Sequence, residues 1–205
     1  MTGRTVVCVI DDDAEIRRHL RDLLAAAGYE VKDYPSAAAC LAGGLEDAGC
    51  LVTDLNMPGM DGFELLRRVV QLQADLPVVL ITGHGEIALA VRAMKAGAAD
   101  FIEKPLDDAA FLESIRHAVK LGETRRNRTF ESLRARMLLA RLTPRERAVL
   151  DELVAGQSNK AAARQLGLSQ RTIEVYRAQI LDKLGAGGLS DLVRIVLAAK
   201  RRPNF

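Results

Sequence analysis

The sequence predicts an α/β fold, a five-stranded doubly wound parallel sheet, followed by a small all-α helix-turn-helix unit. Three observations lead there. Strand-length apolar runs alternate with helical patterns as far as Leu121, the balance of charge reverses beyond it, and the remainder shows only helical periodicity broken by Gly-containing turns.

The first unit is Thr5 to Ile10, a buried-strand run, then a helical pattern opened by Asp11-Asp12-Asp13, carried by Ile16, Leu20, Leu23, Leu24 and Ala27 and closed by Gly28. The alternation then recurs. Strands are expected over Tyr29–Tyr34, Cys50–Asp54, Pro77–Thr82 and Asp100–Glu103, with helices over Ser36–Leu41, Phe63–Leu72, Glu86–Ala96 and Asp108–Leu121. About 120 residues is too few for an eight-unit barrel, which leaves the flavodoxin-like strand order 2-1-3-4-5.

That order places the carboxyl ends of strands 1 and 3 side by side, so Asp11, Asp12 and Asp54 should meet in one crevice at the switch point. Crowded like charges repel, and a hard cation with oxygen ligands holds them most simply, with Mg²⁺ the natural candidate. Thr82 after strand 4 and Lys104 after strand 5 bring a hydroxyl and an ammonium to the same end. Pro58-Gly59 and Asp61-Gly62 supply the turn that follows Asp54.

Residues 1–121 hold 12 Lys/Arg against 19 Asp/Glu, net −7, whereas residues 122–205 hold 17 against 8, net +9. An acidic part is joined to a basic one, and the basic part suits a polyanionic partner. Cys8, Cys40 and Cys50 are odd in number and lie in or beside apolar runs, which favours buried reduced thiols over a disulfide or metal site. No apolar run approaches the roughly 20 residues of a membrane span and no signal-peptide core is evident, so a cytoplasmic protein without membrane attachment is expected. At 49% hydrophobic residues over 205 positions, general disorder is excluded and two domains are expected.

Residues 120–141 are Arg-rich, with Phe130, Leu133, Met137 and Leu138 scattered among them and Gly122 the one internal break, so a helical linker should continue the fifth helix. Thr143-Pro144-Arg145-Glu146 then opens a helix with a capping box and Pro at its first position. Asn159 to Leu166, the turn Gly167-Leu168-Ser169 and Gln170 to Leu184 form a helix-turn-helix. In its second helix Ile173, Tyr176, Ile180 and Leu184 share the core face, leaving Arg171, Glu174, Val175 and Ala178 outward as major-groove candidates. A last helix follows Gly187-Gly188. The expected division is 1–121, 122–141 and 142–205.

With these residues in view, positions 4–121 resemble the receiver domain of two-component response regulators: Asp11-Asp12, Asp54 before Met-Pro-Gly-Met-Asp-Gly, Thr82, and Lys104-Pro105. Residues 142 to about 199, including the run from Ser169 to Arg177, resemble the LuxR-type output domain of the NarL/FixJ response regulators. The resemblance implies that Asp54 is the phosphoacceptor, served by a sensor histidine kinase. It also implies that Mg²⁺ is held by Asp11, Asp12, Asp54 and the Asn56 carbonyl, and that Thr82 and Lys104 bind the phosphoryl oxygens. By the same resemblance, Asn56 and His84 occupy the positions expected to tune hydrolysis, and Thr82 with Phe101 is expected to form the switch pair.

On phosphorylation the chain is expected to form a homodimer through Glu86 to Glu103 and to bind double-stranded DNA. Glu174, Val175 and Ala178 would touch bases, and Lys160, Arg171, Thr172 and Arg177 phosphates. Ala161-Ala162-Ala163 and Gln157 depart from the family pattern in the scaffold helix. Two other classes fit parts of the pattern. An aspartyl-phosphate phosphohydrolase would carry a second acid two residues after its nucleophile, where this chain has Asn56, and a receiver with a protein- or RNA-binding tail would need no helix-turn-helix spacing.

Overall fold

The computed structural model describes residues 4–73, 75–83 and 87–201. Its sheet is parallel throughout, in the order β2-β1-β3-β4-β5, with β1 Val6–Ile10, β2 Glu30–Tyr34, β3 Ala48–Asp54, β4 Val78–Thr82 and β5 Asp100–Glu103. β1, β3 and β4 are buried along their whole length because helices cover both faces, which is why they read as unbroken apolar runs. Apart from Asp54 at the end of β3, the charged strand residues lie on the edge strands β2 and β5.

Alternate strand residues feed two cores. Cys8, Ile10, Leu51 and Leu80 face one, shared with α2 (Ala37–Ala42), α3 (Gly62–Leu72) and α4 (Ile87–Lys95). Val7, Val9, Val52, Val79 and Ile81 face the other, filled by Leu20 and Leu24 of α1 (Ala14–Ala26) and by Phe111 and Ile115 of α5 (Asp108–Leu139). Cys8, Cys40 and Cys50 are buried free thiols, as their apolar settings predict. On the edge strand, Asp100 Oδ1 accepts the Phe101 backbone N–H at 2.8 Å and its Oδ2 accepts the Ser114 hydroxyl at 2.6 Å.

Helix α5 runs 32 residues without interruption, straight through Gly122. There glycine serves packing: a Cβ would lie 2.7 Å from Pro77 Cδ and 3.3 Å from the Asp75 carbonyl oxygen. The chain divides into two compact units after Arg126, inside that helix. Arg126 Nη1 donates to the Ala48 carbonyl at 3.2 Å in the first unit. In the second unit Ala135 and Leu139 are buried, and the Ser132 hydroxyl and the Arg136 guanidinium donate to carbonyls of Ala199 and Arg201.

The second unit adds α6 Pro144–Val154, α7 Asn159–Leu166, α8 Gln170–Leu184 and α9 Leu189–Lys200 around Val149, Leu150, Ile173, Ile180, Leu192 and Val196. Ala162 and Ala163 are buried where α7 enters this core, and Gln157 is exposed outside it. Gly167, at φ 66°, turns the chain between α7 and α8, and Ser169 caps α8 by accepting the Thr172 N–H at 3.0 Å. Among the described residues no helix is long and apolar enough to cross a membrane.

Candidate phosphoacceptor site and nucleic-acid interface

Asp54 is the last residue of β3 and 6% exposed. Its Oδ2 accepts the Asn56 N–H at 2.6 Å, and its Oδ1 lies 2.6 Å from Lys104 Nζ. The same ammonium reaches Asp11 Oδ2 at 3.0 Å, so one cation bridges the ends of β1, β3 and β5. Thr82, fully buried at the end of β4, accepts the Lys104 backbone N–H on its carbonyl at 2.7 Å, which ties the Lys104 loop to its neighbour strand. The backbone at Asp54 is also crowded. A Cβ on Gly62 would fall 2.5 Å from the Asp54 carbonyl oxygen, so only glycine lets α3 start this close to the acceptor loop.

Burial raises the Asp11 carboxyl above its usual range against the Asp13 N–H and the Lys104 ammonium, and the nearby Asp54 charge adds to the rise. Burial also acts most strongly on Lys104, in the opposite direction for a cation. The hydrogen bonds and charges of Asp54 and Asp11 together outweigh it and leave the ammonium above its ordinary range.

The expected cluster of three carboxylates is only partly realised. Asp11 and Asp54 converge, but Asp12 is exposed, and among the described residues no group of three Asp, Glu, His or Cys side chains is close enough to hold a metal. Lys104, lying between Asp11 and Asp54, offsets their mutual repulsion. The donors nevertheless fit a hard cation: two buried carboxylates beside an exposed one, and no thiol or imidazole among them.

Asn56 is exposed. Met57 is buried and Met60 packs against the core, as expected of packing residues. Phe101 is half-buried on β5 and packs against the face shared with α4. His84 and Glu86 lie outside the described residues. Sequence reasoning missed Arg17, whose guanidinium donates to the Asp11 and Asp12 backbone carbonyls at 2.7 and 3.1 Å. A basic residue in the first turns of a helix after an acidic loop was the only available signal.

In the second unit Arg171, Glu174, Val175 and Ala178 stand exposed along α8, with Ile173, Ile180 and Leu184 buried behind them. Thr172 and Arg177 are half-buried, and the Thr172 hydroxyl is 2.7 Å from that of Ser169. Lys160 is exposed near the start of α7. α8 is held from behind by an ion pair that spacing did not reveal: Lys183 Nζ sits 2.7 Å from Glu146 Oε1 and 2.9 Å from Oε2. Glu146 also closes the capping box of α6, accepting the Thr143 N–H at 2.8 Å.

Lys183, then Thr143, hold the Glu146 carboxyl below its usual range. A depressed folded value contributes stability above the unfolded value of about 4.3 that disappears as pH falls through the folded one. Acid unfolding followed by circular dichroism should therefore steepen below about pH 4 in the parent, whereas Glu146→Gln should be less stable at neutral pH and lose that part of the pH dependence. Equal slopes in the two chains would count against this pair.

These two sites define the class: the chain matches the response regulator receiver domain over residues 7–116 and the luxR family of bacterial regulatory proteins over residues 140–196. It belongs to the response regulators of two-component systems, with a LuxR-type DNA-binding output that regulates transcription. Among individual proteins, it is 46% identical over 200 residues to the transcriptional regulatory protein FixJ of Azorhizobium caulinodans, covering 96% of this chain and 94% of that one. It is 42% identical to the FixJ of Rhizobium meliloti over 205 residues and the full length of both. Among solved structures it resembles the response regulator StyR, with a TM-score of 0.81 at 39% identity over 95% of this chain and 99% of the other. Full-length FixJ from B. japonicum matches with a TM-score of 0.59 at 43% identity over 97% and 98% of the two chains.

Proposed function

We propose that Asp54 accepts a phosphoryl group from a sensor histidine kinase, that the modified receivers pair through α4 and β5, and that the pair binds duplex DNA through α8. The observation that carries this reading is Lys104 Nζ, seated at 2.6 Å from Asp54 and 3.0 Å from Asp11 at the carboxyl edge of the sheet. An ammonium there stabilises charge spreading over the phosphoryl oxygens while Asp54 attacks in line. Asp11, Asp12, Asp54 and the Asn56 carbonyl would hold Mg²⁺, which when bound neutralises further phosphoryl charge. The Thr82 hydroxyl is assigned to one phosphoryl oxygen.

A hollow of about 350 Å³ lined by Glu15, Ile16, His19, Lys104, Pro105 and Leu106 opens beside this ammonium. For pairing, α4 offers a stripe of Ile87, Val91 and Met94, respectively 82%, 48% and 50% exposed. Its inner side is fixed by buried Ala93 and by Arg92, whose guanidinium lies 4.4 Å from the Phe63 ring centre. We assign residues 1–121 to the receiver, 122–141 to the connecting helix and 142–205 to the output. We also place the chain in the cytoplasm, where a kinase and DNA are both within reach.

Sedimentation of the phosphorylated chain tests the pairing. The parent should shift from monomer to dimer at micromolar concentrations, and Val91→Asp should take up phosphate equally well but stay monomeric. A phosphorylated parent that stays monomeric while its DNA affinity still rises would overturn it.

A further inference from the structure

We infer that Arg17 is a positioning residue that sets the Asp11 carboxylate through the peptide joining Asp12 to Asp13. Arg17 lies one turn into α1, after the N-cap Asp13, and its backbone N–H donates to the Asp13 carbonyl at 3.1 Å. From there its side chain folds back over the loop. A single amine, Nη1, donates to the Asp11 carbonyl at 2.7 Å and the Asp12 carbonyl at 3.1 Å.

A trans peptide holds its C=O and N–H on opposite sides. Drawing the Asp12 carbonyl toward Arg17 therefore turns the Asp13 N–H the other way, and that N–H donates to Asp11 Oδ1 at 2.8 Å. With Oδ1 so held, Oδ2 is the oxygen that meets Lys104 Nζ at 3.0 Å. The chain of contacts runs from guanidinium to peptide to carboxylate to the ammonium of the candidate site.

The guanidinium is itself restrained. Its side chain is 16% exposed, and Nε is buried without a hydrogen-bond partner, 3.7 Å from Asp33 Oδ2 on β2. A buried donor left unsatisfied is costly, and it marks a side chain placed by its other contacts. Asp33 also meets Arg21 Nη1 at 3.4 Å, so the carboxylate behind Arg17 is shared. A lysine in place of Arg17 retains one charge but not the planar fork that points Nη1 at the carbonyls and Nε at Asp33.

This inference rests on the reading that the crevice takes a divalent cation, and the test separates the two. Mn²⁺ alone, titrated into the full chain and followed by electron paramagnetic resonance of the free ion, reads the acidic loop without any reaction. Arg17→Lys and Arg17→Ala should each weaken Mn²⁺ binding by about 10-fold or more, as loss of an outer partner of a metal ligand does. Asp33→Asn should weaken it by about 3-fold, since it removes only an ion-pair partner. Urea unfolding of each chain gives a separate measure of stability. A role for Arg17 as bulk positive charge predicts the opposite pattern, with tighter binding in Arg17→Ala and no change in Arg17→Lys. A purely structural role lowers the urea midpoint and leaves Mn²⁺ affinity unchanged. Either result overturns the positioning role. If the parent chain binds no Mn²⁺, the cation reading fails first and the positioning role falls with it.

Discussion

Lys104→Ala is expected to slow phosphoryl uptake from a small-molecule donor by about 10² to 10³, the usual loss when one preorganised donor is removed from developing charge. Asp54→Asn should abolish uptake altogether. Intact-mass measurement after incubation with acetyl phosphate and Mg²⁺ checks both, and an adduct on the Asp54→Asn chain would remove Asp54 from its assigned role. The Lys104 variant carries a second consequence because the ammonium neutralises two buried carboxylates at 2.6 and 3.0 Å. Without it Asp11 and Asp54 face each other unpaired, at a cost of about 3 kcal/mol, the low end for a broken buried pair because Lys104 is partly exposed. The Asp11 carboxyl, already raised by burial, would lose the ammonium that opposes the rise and lie further above the unfolded value of about 3.9. The variant's stability would be greatest below that value and fall as pH rises through the folded value of Asp11, so acidification should partly rescue it.

DNA affinity should show the next largest effect. A fragment spanning residues 127–205 is expected to lose roughly 10³ to 10⁵ in affinity between about 50 and 200 mM salt if a pair of chains neutralises about 6 to 10 phosphates. The fragment should begin before Leu142, because Ser132, Ala135 and Leu139 belong to the helical unit. Arg171→Ala should weaken binding uniformly across sequences. Glu174→Ala should instead relax preference at one base pair by about 1 to 3 kcal/mol, since a carboxylate can accept from a cytosine amino group. A flat salt profile, or identical behaviour of the two variants, would reject α8 as the recognition helix.

Much of this was legible in the sequence because it depends on side-chain type at short range. The apolar runs Thr5 to Ile10 and Cys50 to Asp54 read as buried strands, and in the strand order 2-1-3-4-5 that the sheet adopts their carboxyl ends adjoin. Thr143, Pro144 and Glu146 spelled the start of α6, and the capping box is present. What escaped notice involves backbone or distance. Arg17 acts on carbonyl oxygens, which every residue has, so no spacing of residue types announces it. Glu146 and Lys183 meet across 37 positions. Gly122 reads as a helix break but is needed where α5 passes Pro77.

The Asp100 carboxylate, which takes the Phe101 N–H on the open side of β5, bears on how copies of this chain can meet. An edge strand with free donors is a template on which another chain can extend the sheet. At Phe101 that donor is already occupied, and β5 is only four residues long with an acid at each end. Two chains brought together along α4 and β5, as in the proposed pairing, would therefore be steered toward side-chain contact and away from zipping into a continuous ladder. A pairing held by side chains in this way leaves each sheet closed at its own edge.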